Sequence, residues 1–297
     1  MKFFADTANL EEIAYCFSVG VSDGITTNPK IIETTGDLSK GFEGACKEIL
    51  GRYPNVPVSL ETDLRGIDVS RLGSTPPNQV RDVLLEQAKK LYALADNVVV
   101  KIPICKGGLM AARVLADQGI KTNITACMTP EQAIEAASAG NGYVSLFANR
   151  MLDYHLLNLA GIDALSAIES KPGVLKELLQ TIDSEYTPKA WERVLEEISF
   201  VARLLEGNRR VSLIVGSIRS PKDIERLCQA GPQIITIPTK IVRGLEAAGG
   251  IEGISALKDS PRTISGTSFI PPGSLDHPMT QYTLEEFEKA ADCYRTH

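Results

Sequence analysis

The run Asn97-Val-Val-Val-Lys101-Ile-Pro103 places one lysine near the end of a stretch that otherwise reads as a buried strand. Side chains alternate along a strand, so Val98, Val100 and Ile102 share one face while Asn97, Val99 and Lys101 share the other. A buried ammonium is costly unless it is paired or loses its proton, and an amine whose pKa has fallen is a nucleophile toward carbonyl carbon. Bringing a lysine from ~10.4 to ~7 takes ~4.6 kcal/mol of differential stabilisation, which desolvation in a closed interior can supply. Lys101 is therefore the candidate Schiff-base residue. The bland alternative is that it ends an exposed strand and snorkels to water.

Other short apolar runs carry polar residues near their C-terminal ends. With the apolar alternates facing outward, the inward set is Asp6 on the first run, Thr26 and Asn28 on the second, and Ser59 and Glu61 on the third. Lys101 follows on the fourth, Asn123 and Thr125 on the fifth, Ser145 and Phe147 on the sixth, and Ser217 on the seventh. A lone Asp or Asn is more often a cap than a catalyst. Two carboxylates, a lysine, two asparagines and several hydroxyls at one mouth are costly to bury together, and the set favours function. Asp6 and Glu61 suit proton relay; Asn28, Asn123 and Ser145 suit orienting hydroxyls and a carbinolamine. Arg150 and Arg219 lie just past the sixth and seventh runs, with Ser217 beside the second, and form a candidate clamp for phosphate. For Arg150 the competing reading is a rim ion pair with Asp153. Lys240, beyond Pro238, is a second amine in a more exposed setting and ranks well below Lys101.

The elements that must position these residues alternate strand and helix. Strands are expected at 2–6, 23–28, 56–62, 97–103, 121–126, 142–148, 210–217 and 233–238. Helices are expected from Asn9, over 38–50, 81–95, 107–118, from Thr129 with Pro130 and Gln132 as start signals, and over 221–230. Residues 63–80, rich in Gly, Pro and Ser, read as a long loop. The stretch 151–210 is too long for one crossover helix and reads as a helical elaboration with two or three pieces, including 172–182 and 188–206. Residues 244–297 form a C-terminal extension, turn-rich with a short helix to Leu275 and a final helix from Thr283 to Arg295, placed to reach onto a neighbouring subunit. Eight strand-then-helix units predict a single α/β domain over 1–297, a closed (β/α)8 TIM barrel. An open doubly wound sheet would usually carry a GxGxxG turn after an early strand, and none is present.

With 297 residues, 43% hydrophobic and 23% charged, the chain can bury a large core. A net charge of -6 disfavours a broad nucleic-acid surface but permits a small basic pocket. Of three histidines, His277 and His297 lie near the C-terminus, far from the strand ends, so neither a metal nor another cofactor is expected. The six cysteines show no CxxC and no preceding signal peptide and read as reduced intracellular thiols. No apolar run is long enough to span a bilayer, so the cytoplasm, with no membrane partner, is the expected location.

Six segments carry a resemblance: Phe4-Ala-Asp6-Thr-Ala-Asn9, Gly24-Ile-Thr-Thr-Asn28-Pro-Lys, Val99-Val-Lys101-Ile-Pro103, Thr122-Asn123-Ile-Thr125, Ser145-Leu-Phe147-Ala-Asn-Arg150 and Gly216-Ser-Ile-Arg219. In this order, at strand ends, they resemble the transaldolase family, which includes the fructose-6-phosphate aldolase branch. The resemblance implies a class I Schiff-base mechanism on sugar phosphates. A ketose phosphate, sedoheptulose 7-phosphate or fructose 6-phosphate, forms an imine with Lys101, and Asp6 takes the C4 hydroxyl proton as the C3–C4 bond breaks. The dihydroxyacetone unit then passes to an aldose phosphate, as in the pentose phosphate pathway. It further implies that Glu61 and Thr125 hold a catalytic water, that Asn28 and Asn123 contact the bound unit, that Arg150, Arg219 and Ser217 hold the phosphate, and that the chain is a homo-oligomer. The alternative is an aldolase that releases free dihydroxyacetone; such relatives place a tyrosine where this chain has Phe147. A silent sugar-phosphate-binding barrel is the third reading, opposed by the intact Lys101, Asp6 and Glu61.

Overall fold

Short parallel strands that are buried on both faces need cover on each side, and closing the sheet on itself provides the inner one. The computed structural model of the chain describes residues 1–169, 174–182, 184–253, 256 and 275–295, and in it the sheet closes. Strands β1 (Lys2–Asp6), β2 (Ile25–Thr26), β3 (Val58–Glu61), β4 (Val98–Pro103), β5 (Thr122–Cys127), β6 (Gly142–Phe147), β7 (Val211–Gly216) and β8 (Ile234–Ile237) form one closed barrel in chain order. Every neighbouring pair is parallel, and β8 returns to β1. This is the predicted (β/α)8 barrel.

The helices are α1 (Leu10–Ser18), α2 (Pro29–Thr35), α3 (Gly41–Arg52), α4 (Pro77–Tyr92), α5 (Lys106–Asp117), α6 (Pro130–Ala139), α7 (Ala148–Leu159), α8 (Ala164–Glu169), α9 (Val174–Thr181), α10 (Tyr186–Leu204), α11 (Pro221–Ala230), α12 (Thr239–Ala247) and α13 (Pro278–Arg295). Their starts follow capping chemistry. Asn9 accepts from the amides of Glu11 and Glu12, and Thr129 caps α6 ahead of Pro130. Asn28 and Pro29 do the same for α2, which starts where the expected strand over 23–28 ends. The 63–80 segment is also more ordered than its composition suggested: a 3-10 turn spans Val69–Arg71, and α4 starts at Pro77. The 151–210 elaboration resolves into the rest of α7 with α8, α9 and α10, while Pro172 lies outside the described residues. Past α12, the expected turn-rich stretch to Leu275 is largely outside them as well.

Two apolar clusters divide the interior. The large one lies between sheet and helices and takes the outward residues, among them Val58, Leu60, Val98, Val100, Ile102, Ile124, Val144, Leu146, Leu213 and Val215. The small one is inside the barrel, where Phe4, Ile214 and Ile234 pack with Tyr143 and Phe4 meets Tyr143 edge-on at 5.8 Å and 84°. These inward residues fill the lower barrel, so the polar residues further along the same strands sit above an apolar floor.

The final helix begins at Pro278, five residues before Thr283, and packs within this chain against α2 and the 3-10 turn.

Strand β6 carries Ser145 and Phe147 and leads into Arg150, so its entry matters. Gly142 opens it at φ +132, where a Cβ would stand 2.6 Å from the Thr122 carbonyl oxygen. Gly142→Ala must strain the backbone and displace β5, a cost of about 2–3 kcal/mol. Urea unfolding is expected to show that loss; a change below about 0.5 kcal/mol would mean the strand accommodates the methyl.

Candidate functional site

Ladder register brings the inward residues to matching depth. Asp6 pairs with Thr26 and Thr26 with Ser59, while Glu61 pairs with Lys101 and Lys101 with Asn123. Above the apolar floor the mouth opens into a cavity of about 280 Å³. Asp6, Thr26, Asn28, Lys101, Asn123, Ser145, Phe147, Arg150 and Ser217 line it, nine of the residues singled out from sequence. Size alone does not mark this site. A cavity of about 350 Å³ between the 3-10 turn, the start of α5 and the start of α13 contains none of the inward polar set.

Lys101 is buried among hydrogen-bonding groups. Its Nζ donates to the Thr27 carbonyl at 2.8 Å and lies 2.9 Å from Glu61 Oε2. That second contact is an ion pair by distance but not a well-angled hydrogen bond. Glu61 Oε2 and Thr125 Oγ1 therefore remain buried oxygens without a hydrogen-bond partner among the described residues. Such atoms are rare in folded interiors and mark places where another group is expected. Asp6 Oδ1 accepts from Thr26 Oγ1 at 2.7 Å. Ser145 Oγ donates to Asn123 Oδ1 at 2.7 Å, and Asn123 Nδ2 donates to Ser59 Oγ at 3.3 Å, which fixes the amide's orientation. Asn28 uses Oδ1 to accept from Ile31 N at 2.8 Å as the cap of α2.

Burial raises the Asp6 carboxyl above the ordinary aspartate range, opposed by the Lys101 charge and the Thr26 hydrogen bond. Burial likewise raises Glu61, opposed by its pairing with Lys101 and reinforced by Asp6. Both carboxyls thus hold protons more readily than exposed ones.

Three predicted residues lie off the cavity wall. Glu61 sits behind Lys101 and lines a separate cavity against α3, α4 and Tyr294. Thr125 is fully buried next to the point where the β5–β6 register shifts. Arg219 is held at the rim by Asp153, its Nη1 and Nη2 donating to Oδ1 and Oδ2 at 2.6 Å each. Buried Asp153 lies 3.9 Å from Arg150, so the rim pair considered for Arg150 belongs mainly to Arg219. Ser217 follows β7 at φ 63, in the left-handed region that only a well-held non-glycine occupies. Asn149 holds it by donating to the Ser217 carbonyl at 2.6 Å, and Asp223 accepts from Asn149 at 2.9 Å and from the Arg219 and Ser220 amides at 3.0 Å.

The structure adds residues to the wall. Thr236 faces the cavity from β8, and the alternation from Ile234 could have found it. Thr283, Glu286 and Phe287 reach it from α13; their spacing marks one helix face, but no sequence signal tells which end of the barrel that face covers. Lys240 is exposed on α12 and does not line the cavity.

A closed parallel barrel with a buried lysine that meets Glu61 and shares the C-terminal mouth with Asp6 defines the class of the protein. Residues 77–292 match the family model described as "Transaldolase/Fructose-6-phosphate aldolase". Curated relatives named "Probable transaldolase" are similar over most of their length. The Aquifex aeolicus protein is 34% identical over 82% of this chain and 88% of its own, and that of Desulfosudis oleivorans 33% over 83% and 91%. The relative from Bdellovibrio bacteriovorus is 30% identical over 82% and 89%. The chain belongs to the transaldolase/fructose-6-phosphate aldolase family.

The raised Asp6 carboxyl gives a stability test. Folded Asp6 keeps its proton to higher pH than the unfolded chain does. The stability it contributes is therefore complete below the ordinary aspartate pKa and lost as pH rises through the raised folded value. Asp6→Asn lacks this dependence. Its melting temperature relative to the parent is expected to climb as pH rises above the ordinary aspartate pKa of about 4 in scanning calorimetry. A flat or falling difference would show that burial does not govern Asp6.

Proposed function

We propose that the chain is a transaldolase, moving a dihydroxyacetone unit from a ketose phosphate such as fructose 6-phosphate or sedoheptulose 7-phosphate to an aldose phosphate. The observation that carries this reading is the buried Lys101 Nζ, which lines one cavity with Asp6 and meets Glu61 behind it. Glu61, raised by burial, is suited to take the proton that an ammonium must lose before it attacks a carbonyl. The neutral amine adds to C2 of the ketose; the carbinolamine loses water and leaves an imine. Asp6 takes the C4 hydroxyl proton as the C3–C4 bond breaks, the bond's electron pair moves into the iminium, and the aldose phosphate departs. The resulting enamine attacks an acceptor aldehyde, and hydrolysis frees Lys101. Glu61 Oε2 and Thr125 Oγ1 have hydrogen-bonding capacity to give to the water that enters and leaves. Asn123, fixed by Ser145, and the Asn28 amide are placed for the donor's hydroxyls, and Arg150 for its phosphate.

Borohydride reduction in the presence of fructose 6-phosphate is expected to attach a stable adduct to the peptide containing Lys101, and Lys101→Met to abolish it. Mass mapping that finds the adduct on Lys240 would sink the assignment.

Phe147 favours transfer over free aldol cleavage. The ring lines the cavity 6.3 Å from that of Phe287 and has no proton to give the enamine. A persistent enamine waits for an acceptor. Phe147→Tyr is expected to raise acceptor-independent release of dihydroxyacetone relative to transfer by about a hundredfold, the low end of the range for one positioned acid. An unchanged ratio in a folded variant would show that this ring only fills space.

A further inference from the structure

Helix α13 lays Thr283, Glu286 and Phe287 across the mouth, and Glu286 is the charged member. Its Oε2 accepts from Arg150 Nη2, and its Oε1 accepts from the Tyr282 hydroxyl at 3.3 Å. The Arg150 guanidinium stacks 4.8 Å above the Tyr282 ring. Arg150 is the one arginine among the described residues that lines the cavity, while Arg219 is engaged by Asp153. The acid thus stands on the cation best placed for a substrate's anionic group.

A carboxylate and a phosphate both bind the guanidinium's N–H edge, and Glu286 already holds Nη2, so a phosphate taking that edge must contend with it. We propose that Glu286 competes with the substrate's phosphate for Arg150, so that α13 sets how tightly phosphorylated ligands are held. This rests on the reading of Arg150 as the phosphate residue and goes beyond it. The pair can open readily: the Arg150 and Glu286 side chains keep 20% and 40% of their exposure, so parting them strands no fully buried charge. Binding a dianion then means moving Glu286 aside, and the helix turn that carries it moves or its side chain swings toward solvent. A neutral ligand in the lower cavity meets no such competitor. Partly exposed pairs of this kind are worth up to about fivefold in an equilibrium constant.

Inorganic phosphate titrated into the full chain by calorimetry isolates this competition from chemistry. Glu286→Gln keeps the side chain's shape and removes its charge, and the phosphate Kd is expected to fall about fivefold. Glu286→Asp keeps the charge on a shorter arm and should lie between the parent and Glu286→Gln. Unchanged, weakened or undetectable phosphate binding in Glu286→Gln overturns the proposal, as does tighter binding in Glu286→Asp than in Glu286→Gln. Borohydride trapping in the same variants reports separately on the amine. Trapping at Lys101 without tighter phosphate sinks the competition and leaves the Schiff base. Tighter phosphate without trapping does the reverse.

Discussion

The pairing of Lys101 with Glu61 inside the barrel constrains everything around it. Two opposite charges taken out of water are tolerated only when they meet each other and their remaining capacity is met by polar neighbours; removing one partner of such a pair typically costs about 3–5 kcal/mol. Here the Lys101 amine donates to the Thr27 carbonyl, and Ser59, Asn123 and Ser145 form a hydrogen-bonded chain across the same interior. The floor of Phe4, Tyr143, Ile214 and Ile234 separates this polar layer from the other end of the barrel. An apolar filling would be easier to bury, so the barrel accepts polar cost at one end of its axis and recovers stability in the packing around the outside.

At the rim the charges are organised by a different rule. Arg219 and Arg150 each meet an acid, Asp153 and Glu286, but the two pairs differ in burial. Asp153 is buried and engages Arg219 in a two-bonded fork, an arrangement that holds position. Glu286 is half-exposed on a helix near the end of the chain, an arrangement that can exchange. The two rim arginines are therefore held with different firmness because of what their counter-ions rest against.

The left-handed backbone at Ser217 shows how the scaffold supports the rim. A non-glycine residue there is strained by about 1–3 kcal/mol and persists only when its surroundings hold it. The buried Asn149 and Asp223 do so, through the Ser217 carbonyl and the Arg219 and Ser220 amides. Neither residue touches the cavity, yet both decide where Ser217 stands.

Much of this was legible in the chain itself. Period-2 alternation placed Asp6, Asn28, Lys101, Asn123, Ser145 and Phe147 at one mouth, because a strand's face is a local property that the pleat imposes and eight successive units leave little choice of topology. Local rules also had the signal for α2, whose Asn28-Pro29 start was present but read as a strand stop. Other features had no local signal. Arg219 meets Asp153 across 66 residues, and Arg150 meets Glu286 across 136. Nor could the pattern of α13 show that it folds over its own barrel, since an apolar face declares that it must be covered and not by what. The sequence by itself determined which side chains of a strand share a face, because alternation acts between neighbours along the chain. Only the tertiary structure decided which acid holds which arginine and what roofs the site, because ion pairs and helix docking depend on distances that the chain closes only when it is folded.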